Sequence, residues 1–202
     1  VFYLFVFCGK GDAGVAQVVF EVVLGVLFFV VLLPVSIFVG LLTKLTSRGP
    51  VIFSQKRIGK NGKVFTLYKF RTMRHNSKGA LWTEKKDRRV TSLGKVLRFT
   101  HLDELPQLVN IIRGDISITG PRPERVELVA QYEKLPYYDV RHMIKPGLSG
   151  WAQIKFRPSA SLEEAYEKLC YDVYYIKNRS LLYDFIIILR TVRYLFTSKF
   201  HG

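Results

Sequence analysis

Asp103 and Glu104 stand side by side in "FTHLDELPQLVNIIRGD", residues 99–115, directly before a proline and an apolar helical pattern. Two adjacent carboxylates at such a place can divide a reaction between them. One can attack an electrophilic phosphorus, and the other can hold a divalent cation. Mg²⁺ takes oxygen ligands and often bridges protein carboxylates to substrate phosphates. Leu105, Leu108, Val109 and Ile112 fall at i, i+3, i+4 and i+7, so the spacing predicts a helix with one apolar face, closed by Arg113 and Gly114. Asp103 is then the natural N-cap, and Pro106 falls in the first turn, where its missing N–H costs nothing. Unpaired N–H groups and the positive end of the helix dipole would keep Asp103 ionised as a nucleophile and attract phosphate oxygens. Simple capping is the alternative reading of the same pair.

Several cations could serve that pair. Arg98 lies five residues upstream of Asp103 and could neutralise a transferring phosphoryl group. In "GPRPE" the rings of Pro121 and Pro123 fix the backbone on either side of Arg122, presenting a planar guanidinium from a stiff loop. Strand alternation in "VFTLYKF" and the following arginine places Lys69 and Arg71 on one face with Phe65 and Leu67, so that both project together. Charges bordering a sheet edge would produce the same pattern. Trp151 stands near Gln153, Lys155 and Arg157, where it could anchor at a lipid interface, stack on a base or fill a core.

The elements that must position these residues follow from pattern. At 202 residues the chain suits one domain with an appended membrane segment. Val22 to Thr43, "VVLGVLFFVVLLPVSIFVGLLT", carries no charge and exceeds the roughly 20 apolar residues a bilayer crossing needs. Pro34, near its middle, predicts a kink or break. The segment either spans or bends at Pro34 and returns to the side it entered from, and the residues alone favour spanning. The cations that follow, Lys44, Arg48, Lys56 and Arg57, place the basic domain on the cytoplasmic face. "VIFSQ" and "VFTLYKF" flank Asn61-Gly62, a hairpin signal, and predict a short β-ribbon. A short helix ending near Arg98, a mixed-charge helix over Leu162–Tyr175 and a very apolar one over Leu181–Phe196 complete the pattern. The last reads as interfacial or buried.

The net charge of +15 is uneven: from Lys44 to Arg113 there are seventeen Lys and Arg against four Asp and Glu. Anionic lipid, nucleic acid or a small polyphosphate substrate could each answer that excess. Cys8 and Cys170 are too few for a disulfide framework, and His75, His101, His142 and His201 lie at no metal-ligand spacing. The chain opens without Met on "VFYLFVFC", which reads as a piece of something longer, and residues 1–14 carry no assignment.

Four blocks occur in order after the apolar segment: "SRGPVIFSQKRIGKNGKVFTLYKFRTM", "LDELPQLVNIIRGDISITGPRPE", "KPGLSGWAQI" and "YDVYYIKNRSLLYD". Over about Phe20 to Phe196 the chain resembles the bacterial sugar transferases, the monotopic phosphoglycosyl transferases. The resemblance implies transfer of a sugar 1-phosphate from a UDP-sugar to polyprenol (undecaprenyl) phosphate with release of UMP, the first membrane step of a glycan assembly. It implies Asp103 and Glu104 as catalytic dyad and Mg²⁺ site, with a phosphosugar carried covalently on Asp103. Arg98, Lys69, Arg71, Pro121, Arg122, Pro123, Lys145 and Arg157 become the substrate-binding set. Fold class is expected to be α+β, mainly helical. A re-entrant hairpin over 15–46 breaks at Leu33-Pro34, where the family has Ser-Pro, and a catalytic domain over 47–202 ends in an interfacial helix.

The setting implied is the bacterial inner membrane, with the active site on the cytoplasmic face, no nucleic-acid partner and room for a homodimer. The blocks resemble members in which this unit follows several transmembrane helices. Phe20-Glu21 stands where the family has Phe-Asp, and Lys155-Phe156 replaces a small polar pair, which leaves hexose and N-acetylhexosamine both open. The rival reading is a non-enzymatic basic domain, tethered to membrane, that binds anionic lipid or nucleic acid.

Overall fold

Helix α1, Val15–Thr46, is the longest element of the structure, a computed structural model that describes residues 14–74, 87–156 and 162–197. Its residues Glu21, Gly25, Phe29, Leu32, Val39 and Thr43 repeat at helical spacing and turn toward the remainder of the fold. Gly25 lets α1 come close: a Cβ there would stand 3.1 Å from Ile111 Cγ2. Contacts are made at both ends of the helix. Glu21 accepts a 2.5 Å hydrogen bond from Ser117, and the carbonyl of Thr43 accepts one from Arg71 at 3.2 Å. These two positions are about 33 Å apart along a straight helix at 1.5 Å per residue. The opposite face leaves Phe20, Val23, Val30, Val31, Ile37, Phe38 and Leu41 exposed, and α1 is long and apolar enough to cross a membrane.

The expected helix-break-helix is corrected in one respect: the structure has a single continuous helix with Pro34 inside it. One proline removes one backbone bond, and the apolar turns on either side keep theirs. Leu33 and Pro34 both lie on the exposed face.

Strands β1 (Ile52–Ile58) and β2 (Val64–Phe70) form the expected antiparallel ribbon, with Ile58 opposite Val64. Asn61 (φ 55°) and Gly62 (φ 73°) take the left-handed conformations that the turn requires. Helix α2, Ser92–Thr100, starts at Thr91, whose Oγ1 accepts from the Gly94 amide at 2.9 Å. Gly94 faces the chain leaving β2 so closely that a Cβ would fall 2.1 Å from the Thr72 carbonyl oxygen. His101, at φ 57°, ends α2 and turns the chain into a single 3₁₀ turn, Leu102–Glu104, followed by α3, Gln107–Ile112.

Past α3 the chain forms β3 (Ser117–Thr119), α4 (Val126–Tyr132), a 3₁₀ turn at Tyr138–His142, β4 (Gly147–Ser149) and α5 (Trp151–Lys155). It finishes with α6 (Leu162–Asn178) and α7 (Leu181–Thr197). β3 and β4 pair in parallel, a second small sheet that the sequence pattern did not announce. Phe65, Leu67, Leu108, Ile111 and Ile116 pack the ribbon onto α3, and Ile144, Tyr175, Ile176 and Ile187 join α6 to α7. The fold is mainly helical, as expected, with α7 leaving Leu181, Leu182, Phe185, Leu189 and Val192 exposed.

Candidate active site

The dyad is carried by the turn between α2 and α3 and wedged from two sides. Beneath it, Val39, Phe70 and Leu97 form a buried cluster with Leu102 and Leu105 against it. Beside it, Asn110 of α3 is fully buried and reaches β2: its Oδ1 accepts from the Tyr68 amide at 3.2 Å and its Nδ2 donates to the Thr66 carbonyl at 2.8 Å. That stitch fixes the height of β2 relative to the dyad. Lys69, the next residue along, then donates from Nζ to Glu104 Oε1 at 2.5 Å. Arg122 reaches the same oxygen from the Pro-Arg-Pro loop, Nη2 to Oε1 at 3.3 Å, while its Nη1 donates to Gln153 Oε1 at 3.1 Å.

Two cations on one carboxylate separate the two acids electrostatically. Burial alone would push Glu104 up, but Lys69 and Arg122 outweigh it and hold its pKa at about 2. Asp103 is buried too, and desolvation raises its pKa above the ordinary 3.8, with Lys69 pulling against it and Glu104 adding to it. Asp103 is also not the helix cap expected. Pro106 stands at the N-cap position of α3 without a side-chain bond, and Asp103 lies inside the preceding 3₁₀ turn. Glu104, Leu105 and Pro106 separate Asp103 from the first residue of α3, so the environment that tunes it is burial and nearby cations. The pair is thus one carboxylate locked in its charged form and one whose basicity is increased.

The remaining cations divide. Arg98 donates from Nε to Thr72 Oγ1 at 2.8 Å, and its charge acts on Asp103. Lys69, Arg98 and Arg122 therefore stand with the dyad, and Pro121 and Pro123 carry the loop that presents Arg122. Arg71 does not project with Lys69. It is buried, with hydrogen bonds to the carbonyls of Pro50, Thr43 and Ser47, so it closes the C-terminal end of α1, where a cation meets unpaired carbonyls. Lys145 sits with its ammonium beside Gly114, past the far end of α3. Arg157 lies outside the described residues. Trp151 is half-buried, with its ring 5.5 Å from that of Tyr183 and with Lys155 and Arg190 at 5.0 and 5.2 Å from its centre.

Gln153 is the site residue the sequence pattern did not single out as one, although it stands in the "GWAQ" stretch. Its Nε2, like that of buried Gln107 three residues after Glu104, has no protein hydrogen-bond partner, which leaves an amide donor at each place. Among the described residues no three His, Cys, Asp or Glu side chains gather as a closed metal site. Asp103 and Glu104 nevertheless fit a Mg²⁺ ion that draws the rest of its shell from water and substrate phosphates, its usual mode of binding.

A sequence model of the family described as "Bacterial sugar transferase" matches residues 13–198. Over 168 residues, 82% of the chain, it is 44% identical to the UDP-N-acetylgalactosamine-undecaprenyl-phosphate N-acetylgalactosaminephosphotransferase of Aeromonas hydrophila. It is 41% identical over 184 residues, 89% of the chain, to the UDP-glucose:undecaprenyl-phosphate glucose-1-phosphate transferase of Escherichia coli (strain K12). The matched region spans 40% of the length of each of these two relatives. It spans 86% of the exopolysaccharide production protein PSS of Rhizobium leguminosarum bv. phaseoli, at 43% identity over 171 residues and 80% of the chain.

Proposed function

The chain belongs to the bacterial sugar transferase family, and from that premise we propose that it transfers a sugar 1-phosphate from a UDP-sugar to polyprenol phosphate, releasing UMP. The observation that carries this reading is the convergence of Lys69 and Arg122 on Glu104 beside a buried, more basic Asp103. An oxygen of Asp103 forms a bond to the phosphorus that bears the sugar. The bond from that phosphorus to the bridging oxygen breaks, and UMP leaves with the electron pair. An oxygen of polyprenol phosphate then attacks the same phosphorus, the aspartyl–phosphorus bond breaks, and the carboxylate is restored. Two displacements suit a water-soluble donor and a lipid-borne acceptor that take turns at one acid.

Lys69, Arg98 and Arg122 place positive charge around the phosphoryl group in transfer, where preorganised charge lowers the barrier most. Mg²⁺, held by Asp103 and Glu104, would neutralise phosphate charge when bound. The membrane reading follows from α1, whose apolar outer face would be a liability in water, together with the exposed apolar row of α7. Both ends of α1 are bonded to the same domain, which favours a helix that lies along one face of the bilayer with its apolar side immersed over one that spans it. That face is proposed to be cytoplasmic, in the bacterial inner membrane. Relatives named for glucose and for N-acetylgalactosamine leave the sugar to experiment.

The test is UMP release from a panel of UDP-sugars with polyprenol phosphate and Mg²⁺, using purified protein in detergent or vesicles. Wild type releases UMP with one or more of the sugars, and mass spectrometry of enzyme quenched with donor alone finds sugar phosphate on Asp103. An adduct on another side chain would overturn the assignment. Salt-sensitive binding of lipid or nucleic acid with no UMP release would favour the tethering domain instead.

A further inference from the structure

Arg122 owes its place to a loop that cannot hold itself. Pro121 and Pro123 lack N–H groups, so "GPRPE" forms no regular structure of its own, yet four successive carbonyls are all taken. The Pro121 oxygen accepts from the Gly147 amide at 2.9 Å, and the Glu124 oxygen from the Ile58 amide at 3.1 Å. The two between them are held by side chains. Arg141 Nη2 donates to the Arg122 carbonyl at 2.8 Å, and Arg57 Nη1 donates to the Pro123 carbonyl at 2.9 Å. Neither arginine bonds the dyad. Arg141 is buried, balanced by Asp172 at 3.0 Å and Glu124 at 3.5 Å, and Arg57 is steadied by Gln55 Oε1 at 2.8 Å.

We propose that Arg57 and Arg141 are positioning residues for the transfer, two guanidiniums that clamp the main chain of the Pro-Arg-Pro loop from behind and thereby aim Arg122 at Glu104 and the donor phosphates. Strand amides reach only the ends of this loop, from Gly147 of β4 to Pro121 and from Ile58 of β1 to Glu124, and the two carbonyls between them are left to side chains. A planar fork does what a strand would do and has donors left over, which in Arg141 meet Asp172 and Glu124 and in Arg57 meet Gln55 Oε1. Lysine keeps the charge but has no fork. Arg141→Lys should therefore leave the ion balance with Asp172 and Glu124 while releasing the loop.

This inference rests on the transferase reading for its kinetics but not for its geometry, and the experiment separates the two. Without any substrate, Arg122→Ala and Glu104→Gln are combined in a thermal-stability double-mutant cycle. The two are expected to be coupled in the wild-type background and uncoupled when Arg141→Lys is present. With substrates, Arg141→Lys is expected to raise the donor KM about tenfold or more, since small misplacements at a reacting centre are costly. The acceptor KM should not move, and Arg141→Lys should add nothing on an Arg122→Ala background. Coupling that survives Arg141→Lys, or a donor effect that adds in full to that of Arg122→Ala, would show a purely structural role and end the proposal. If Arg141→Lys does not fold, Arg57→Lys, at a position whose side-chain bonds run to the Pro123 carbonyl and Gln55, takes its place with the same expected and overturning results. An Asp103→Asn enzyme that still turns over would instead reject the transferase mechanism and leave the stability cycle to decide the clamp.

Discussion

Asp103 and Asp172 are both buried aspartates whose pKa is raised by loss of water, yet their surroundings differ. Asp172 closes a balanced set: Arg141 and Lys168 meet Asp172 and Glu124, and all four side chains are nearly inaccessible, at 13% exposure or less. Asp103 belongs to a more open one, where Lys69 and Arg122 meet Glu104, the charge of Arg98 acts on Asp103, and Arg122 keeps 38% of its side chain open. Burial by itself therefore does not distinguish structure from chemistry. The accessible edge does: Arg122 keeps part of its charge open to solvent, where an anion can reach it, and no member of the Asp172 set does.

Exchanging each aspartate for asparagine should separate the two regions most sharply. Asp103→Asn is expected to lower kcat at least about 10³-fold, as loss of a nucleophile does. Its folding should not suffer: burial raises Asp103, so ionisation above the unfolded value of 3.8 opposes folding, and asparagine removes that cost. Asp172→Asn should do the reverse, destabilising the fold by roughly 3 kcal/mol, or about 6–12 °C in Tm: the desolvation that asparagine relieves is outweighed because Arg141, buried against it at 3.0 Å, stays charged and loses its nearest counter-charge. Protein that remains folded should keep kcat within about tenfold of wild type. A stable Asp172→Asn enzyme with abolished chemistry would erase the distinction.

Smaller effects sharpen it. Glu104 titrates at about 2 in the folded protein against 4.5 unfolded, so the stability it contributes is complete above pH 4.5 and is lost as pH falls toward 2. Glu104→Gln should accordingly lower Tm at neutral pH, by an amount equivalent to roughly 1.5–3 kcal/mol, and match wild type at the acid end. Equal deficits at both ends would mean that Lys69 and Arg122 do not act through its charge. The smallest expected change is in Lys69→Gln. Lys69 opposes the upward shift of Asp103, so the acid limb of donor kcat/KM should move to higher pH in this variant. An unmoved limb would point to another titrating group.

Much of this was legible in the chain before folding. Apolar spacing, Asn61-Gly62 and the order of the four blocks were enough for the long apolar segment, the ribbon, the dyad and the Pro-Arg-Pro loop, though not for the unbroken course of α1 through Pro34. These are local signals, read from residues a few positions apart, and helical or strand periodicity reports little else. What periodicity could not assign was where each cation ends. Lys69 and Arg71 share a strand face, yet one meets Glu104 and the other closes α1, because α1 and the dyad turn lie against different parts of that ribbon. Asp103 reads as a cap in sequence, but the αL residue His101 inserts a 3₁₀ turn that takes it off the helix. Gln153, Arg57, Arg141 and Asp172 sit 19 to 66 residues from the loop positions and partners they serve. The sequence by itself determined the ribbon, most of the helices and the candidate acids, since each depends on neighbours along the chain. Only tertiary structure decided which charges are spent on the fold and which remain for a substrate, since that depends on burial and on pairs brought together across the whole molecule.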